Sequence, residues 1–176
     1  ADDVMKMALS IGSASGSAQT EAASFPVRAR KRCIFMFHCN DESVSANCPL
    51  TIDPSGVWFR REGSGSAGNF LCGVSPPEED DEDVLSPEAW STEDVDHPLF
   101  MEYIWPVIAS RVPAFEEIKV VSSWAGLYEY NTFDQNAIIG AHPHVSNLVL
   151  CNGFSGHGLQ QSPGAGRAVA ELITTG

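Results

Sequence analysis

The sequence predicts an α+β fold built on a mixed, mainly antiparallel sheet. Three observations carry this expectation. Short β-branched and aromatic runs, each closed by turn residues, fill residues 25–75. One stretch of helical period follows at 97–115. Two more short strands and a closing helix complete the order, so strands and helices are grouped rather than strictly alternating.

Taken in order, "DDVMKMALSIG" (2–12) has helical periodicity, acids in its first turn and Gly12 as a stop. Residues 13–24 are a polar, small-residue loop. "RCIFMFHC" (32–39) is apolar on both faces, which predicts a central strand. "PLTIDPSGVWFRREG" (49–63) reads as a strand, a turn at Asp53–Gly56 and a second strand. "GNFLCGVSP" (68–76) is another short strand.

Residues 75–96 are rich in proline and acid with almost no means of burying surface, and are expected to form a mobile surface loop. In "HPLFMEYIWPVIASRVPAF" (97–115) the internal Pro106 predicts a kink or two shorter helices. "EIKVVSSWAGLYEYNTFD" (117–134) is expected to begin as a strand and turn irregular. "NAIIGAHP" and "NLVLC" are two further strands, and the last helix is expected to be interrupted early by two glycines and Pro163.

At 176 residues and 43% hydrophobic content the chain can bury a real core. No apolar run approaches the ~20 residues a membrane helix needs. The opening "ADDVMKMALS" has neither an initiator methionine nor a basic n-region, and reads as a piece of a longer polypeptide. The net charge is −13, with six acids in a row at 78–83 and no Lys or Arg between Arg61 and Arg111. That distribution argues against a phosphate-backbone partner, so no nucleic-acid role is expected. "RARKR" (28–32) reads as a solvated strand edge or loop.

Five cysteines, at 33, 39, 48, 72 and 151, form no CxxC, which argues against a disulfide framework or a zinc site. Cys33 and Cys39 end a buried strand, where cysteine acts as a small apolar residue. His142 and His144 flank Pro143 in a turn and are expected at the surface. No metal site is expected.

The informative stretch is "NGFSGHGLQQSPGAGRAVAELI" (152–173), which follows an apolar strand. "GFSGH" begins like the G-x-S-x-G nucleophile elbow, but His157 stands where the last glycine belongs. The Gly-Lys-Ser/Thr ending of a phosphate loop is absent, and "GHGLQQ" lacks the third glycine of a dinucleotide fingerprint. Two readings stay open. Either the glycines only make a tight strand-to-helix turn, or bare backbone and the helix's first N–H groups receive a flat, electron-accepting ring.

"LVLCNGFSGHGLQQSPGAGRAVAELI" resembles the C-terminal signature of the D-amino-acid oxidase/sarcosine oxidase family of FAD-dependent oxidoreductases. "WAGLYEYNTFDQNAIIGAHPHVSN", "VWFRREGSGS", "VDHPLF" and "RVPAFEEIKV" extend the resemblance over about residues 25–173. They place it near a mitochondrial branch associated with assembly of respiratory complex I.

The resemblance implies an order of parts. Residues 1–24 would be the end of the nucleotide-binding part and a linker. Residues 25–123 would be substrate domain, including the acidic loop 75–96. Residues 124–176 would be the C-terminal strand-turn-helix of an FAD-binding fold, returning to the flavin. The glycine-rich unit that opens the family's polypeptides has no counterpart here, so this piece by itself is expected to be inactive.

By position, Gly156, His157, Gly158, Leu159 and Gln160 match the turn that meets the pyrimidine side of the flavin. Gln160 stands where sarcosine oxidases carry a lysine for the substrate carboxylate, so the resemblance implies weaker anchoring or anchoring from elsewhere. No thiol lies between Ala125 and Tyr130, which implies non-covalent FAD. Tyr128, Tyr130 and Asp134 lie in the stretch that approaches the ring, and Arg60 or Arg61 could meet an anionic donor.

Two functions are compatible with this. One is hydride transfer from a small-molecule, amine-type donor to flavin, by a dehydrogenase or oxidase. The other is a non-catalytic assembly module that binds complex I subunits or assembly factors, with FAD structural or absent. In both, the resemblance implies a mitochondrial matrix or inner-membrane location, with peripheral membrane association.

Overall fold

The computed structural model describes residues 25–45, 48–63, 68–85, 90–143, 145 and 147–175. The helix expected at 2–12, the loop at 13–24 and His144 lie outside the described residues. The chain divides into two compact units: one holds residues up to Arg30 together with Tyr128 onward, the other Lys31–Leu127. The divisions fall inside two strands, β1 (Val27–Cys39) and β5 (Ile118–Asn131).

β1 to β5 form a five-stranded sheet in the order β2-β3-β4-β1-β5, with β2 at Thr51–Ile52, β3 at Trp58–Arg61 and β4 at Asn69–Gly73. The pairings of β1 with β4, β3 with β4 and β2 with β3 are antiparallel. The expected sheet is therefore present, and β1 is interior to it as expected, between β4 and β5, although only one of its faces is buried.

Between β2 and β3 the turn closes as expected. The Gly56 N–H donates to the Asp53 carbonyl (2.8 Å), and the Asp53 carboxylate accepts from the Ser55 N–H (2.9 Å). A single turn of helix, α1 (Glu42–Ser45), follows β1.

The core of the Lys31–Leu127 unit follows from strand alternation. Cys33, Phe35, Phe37 and Cys39 are buried on one side of β1, and Phe59, Phe70 and Cys72 come from β3 and β4. Phe115 closes this core, standing edge-on to Phe37, Phe59 and Phe70 at centroid distances of 5.0, 5.4 and 5.0 Å.

The helical stretch runs through Pro106 without breaking. α2 (His97–Leu99) opens under an Asp96 cap, Phe100–Ile104 winds as a π-turn, and α3 (Trp105–Arg111) continues. Proline lacks the N–H that an α-helix would aim at Glu102. The wider turn, in which the Trp105 N–H reaches the Phe100 carbonyl, absorbs the mismatch.

The structure corrects five expectations, the last of them in the other unit. The described residues of 75–96 are mostly irregular and exposed, as a surface loop should be, but they do bury surface. Asp81 is buried and pairs through both oxygens with Arg32 (2.5 and 2.7 Å), while Trp90 and Val95 pack against the core. "RARKR" is part of β1 and half-buried: Arg28 donates to the Phe25 carbonyl, Arg30 lies over the Tyr130 ring and Arg32 pairs with Asp81.

β5 is one strand of 14 residues and does not turn irregular before Asn131. Similarly, α4 (Gly158–Thr175) runs uninterrupted through Gly164, Gly166 and Pro163.

In the other unit, β6 (Ile138–Ala141) and β7 (Val149–Asn152) pair antiparallel, and α4 packs on both. Phe25 and Val145 form a small core with Val27, Ile138, Leu148 and Leu150. His142 joins it: the residue is 7% exposed and its ring is stacked 6.1 Å from Phe25, not at the surface as expected. Among the described residues no helix is long and apolar enough to cross a membrane.

Candidate functional site

β7 gives way to Gly153, and the chain reaches α4 at Gly158 through a turn with three positive φ angles. They are Gly153 at 73°, Ser155 at 49° and Gly156 at 87°. The left-handed region costs a residue with a side chain about 1–2 kcal/mol. Glycine is therefore favoured at 153 and 156. A Cβ on Gly153 would also meet Val27 Cγ2 at 3.0 Å.

Ser155 tolerates its conformation because three bonds hold it. Its N–H donates to the Glu129 carbonyl (3.0 Å), its Oγ accepts from the Asn131 N–H (2.9 Å), and its hydroxyl donates to the Gly153 carbonyl (3.3 Å). Buried and giving its proton to a carbonyl, Ser155 is a pin, not a nucleophile.

Two further ties run from β5. The Glu129 carboxylate accepts from the Gly153 N–H (2.9 Å). The Asn131 amide donates to Asp134 (3.0 Å) and to the Asn136 carbonyl (2.6 Å). Asp134 thus organises the loop after β5.

Tyr128 and Tyr130, two apart on a strand, share a face. Their rings lie 6.2 Å apart, edge to face, and the Arg30 guanidinium sits 3.9 Å above the Tyr130 ring. The Tyr128 ring lies 3.6 Å from where a Cβ on Gly156 would be. The structure therefore brings Tyr128, Tyr130 and the Gly156 turn together. Arg60 belongs to the other unit, where it bonds Glu62 (2.6 Å) and the Arg61 carbonyl (3.0 Å).

His157, Leu159 and Gln160 are exposed, Leu159 to 87%. The N–H groups of Gly158, Leu159 and Gln160 belong to the first turn of α4, where a helix has no internal acceptors. The aligned peptides of an 18-residue helix add positive potential there. Beside the turn, Asn152 Oδ1 is buried without a hydrogen-bond partner. Backbone donors, an exposed leucine and a tyrosine ring within a few ångströms suit a flat, largely apolar group with acceptors on one edge. The FAD ring system has that chemistry, so the residues fit it.

Glu129, Asn131, Ser155 and Arg30 were not legible as part of this arrangement. Their partners lie up to about 100 residues away, and no local pattern announces them.

Comparison with known proteins agrees with the geometry. The family model for "FAD dependent oxidoreductase" matches residues 8–172. The chain is 52% identical over 156 residues to the FAD-dependent oxidoreductase domain-containing protein 1 of Xenopus laevis, covering 89% of this chain and 30% of that protein.

Among solved structures it resembles L-proline dehydrogenase from P. horikoshii. The TM-score is 0.66 at 22% identity, covering 86% of this chain and 37% of that one. Glycine oxidase from Geobacillus kaustophilus has a TM-score of 0.64 at 23% identity, with 85% and 36% covered. The chain thus spans about 30% of the length of the curated relative and little more than a third of either structure. The fold is shared with these structures, and a family model matched over nearly the whole chain assigns it: the chain belongs to the family of FAD-dependent oxidoreductases, with FAD as its cofactor.

Proposed function

We propose that this chain is the flavin-facing C-terminal part of an enzyme that oxidises a small amine-type donor. The observation that carries the proposal is the turn itself. Gly156 has a backbone conformation that favours glycine, and the first-turn N–H groups of Gly158, Leu159 and Gln160 follow it, with Tyr128 alongside. Gly156, His157, Gly158, Leu159 and Gln160 would hold the flavin non-covalently, their N–H groups meeting its acceptor edge. When bound, FAD supplies two-electron acceptance from the carbon beside the donor's nitrogen.

The protein's part is to orient and to exclude water. Tyr128 and Tyr130 would present ring faces and hydroxyls to the donor, with Arg30 supporting Tyr130 from behind. Gln160 offers a neutral amide, so an anionic donor gains less there than a lysine would give. The test is an anaerobic screen of the full-length protein with secondary amines, amino acids and hydroxy acids, following flavin absorbance. Bleaching by at least one amine supports the proposal; a bound flavin that no donor reduces overturns it.

A second reading is favoured by the acidic segment, where Glu78, Glu79, Asp80 and Glu82 are exposed while Asp81 anchors the backbone. Here the protein acts in mitochondria, in the matrix or peripherally on the inner membrane, as an assembly factor for complex I. The exposed carboxylates would meet basic partners. Replacing those four acids by their amides should weaken association with assembly intermediates in salt-sensitive fashion without changing flavin content. Unchanged association would end this reading.

A further inference from the structure

We propose that Glu129 is a positioning residue: its carboxylate sets the aim of the glycine turn at the flavin. The inference deepens the reading above and rests on it.

One residue of β5 holds the turn at two points. The Glu129 carbonyl accepts from Ser155, and its Oε2 accepts from Gly153, at 3.0 and 2.9 Å. The next contact along the strand, Asn131 N–H to Ser155 Oγ, is 2.9 Å. Of these three bonds, two use backbone of β5 that any residue would supply. The Gly153 bond alone depends on the identity of a side chain of β5.

Gly153 is also where the backbone first leaves the strand, with φ 73°. Without an acceptor there, the two soft dihedrals of the peptide entering the turn are restrained only through the ties at Ser155, two residues on. Everything downstream pivots on it: Gly156, His157 and the first N–H groups of α4. Glu129 lies between Tyr128 and Tyr130 in sequence, so the residue that fixes the turn is the backbone neighbour of both tyrosines. Glu129 itself is exposed and serves no core contact. Its bond to a neutral N–H is charge-assisted, which makes it stronger than the amide or water contact that would replace it.

The inference separates geometry from mere stability. In full-length protein, Glu129→Ala should bind FAD about tenfold more weakly and alter the visible circular dichroism of the bound flavin. The thermal midpoint of the apo-protein should move little. Glu129→Gln, which keeps an acceptor oxygen, should recover most of the affinity and the wild-type spectrum. Amide hydrogen exchange should show faster exchange at Gly153 in the alanine variant alone.

If Glu129→Ala binds FAD within twofold of wild type with an unchanged spectrum, or if Gln rescues nothing, the inference is overturned and the flavin reading stands. If wild-type full-length protein takes up no FAD, both fall together.

Discussion

The Ser162 hydroxyl donates a hydrogen bond to the Leu159 carbonyl at 3.0 Å, and that carbonyl is the one Pro163 leaves without its helical partner. In an ordinary α-helix the N–H four residues on would occupy it. Proline has none, and its ring crowds the same carbonyl. The serine just before it supplies the missing donor, so α4 continues to Thr175. Ser162→Ala should cost about 0.5–1.5 kcal/mol, the net worth of one such bond. In a Pro163→Ala background the cost should vanish, because an alanine there restores the backbone donor. A double-mutant cycle by urea denaturation measures the coupling.

Gly156→Ala places a Cβ at φ 87°, with the Tyr128 ring 3.6 Å away. Contact at that distance is ordinary, so the penalty is conformational, about 1–2 kcal/mol. The variant should fold yet retain far less flavin. Absorbance of the purified full-length protein near the flavin bands, beside far-ultraviolet circular dichroism, gives the result.

Phe115 stands edge-on to three other phenylalanines and is fully buried. Phe115→Ala should lower stability by about 3–5 kcal/mol through lost burial and the cavity left behind. Phe115→Leu, which fills part of that space, should cost less. Denaturation midpoints at constant slope report both.

Asp53 is held down to a pKa of about 2 by the Ser55 N–H first and by the Arg111 guanidinium next. The folded value lies below the ordinary value of 3.8, so the unfolded chain takes up the proton first as pH falls. Asp53 therefore supports the fold fully above about pH 4 and progressively less as pH drops toward 2. Asp53→Asn should remove that part of the acid sensitivity. Melting temperatures of both proteins between pH 5 and 2 should converge at the acid end.

Burial raises the Cys72 thiol to a pKa of about 12, whereas Cys151 is exposed on β7. Alkylation of native protein at pH 8 should label Cys151 within minutes and spare Cys72, which should react only after denaturation. Mass spectrometry of the peptides distinguishes the two. Early labelling of Cys72 would mean the sheet opens locally.

The short β-branched and aromatic strands, the Asp53–Gly56 hairpin turn and the interior place of β1 were legible because each is written in neighbours a few residues apart. The glycine turn was legible for the same reason: glycine is the residue that favours its φ values. The errors have a common form. β5 contains Ser122, Ser123 and Gly126, which weaken a strand judged alone, yet its place beside β1 in the sheet carries it to Asn131. The acidic segment has no packing partner in its own neighbourhood; Arg32, 49 residues earlier, supplies the cation for Asp81.

The sequence by itself therefore determined the periodicities, the turns, the family and the glycine-lined bend that fits a flat cofactor. Those are set by dihedral preferences and short-range sterics. Tertiary structure decided which side chains hold that bend: Glu129 against Gly153, Asn131 against Ser155, and Tyr128 beside Gly156. Hydrogen bonds and ring contacts between distant residues depend on ångström separations that no local pattern encodes, and only the folded chain brings their partners within reach.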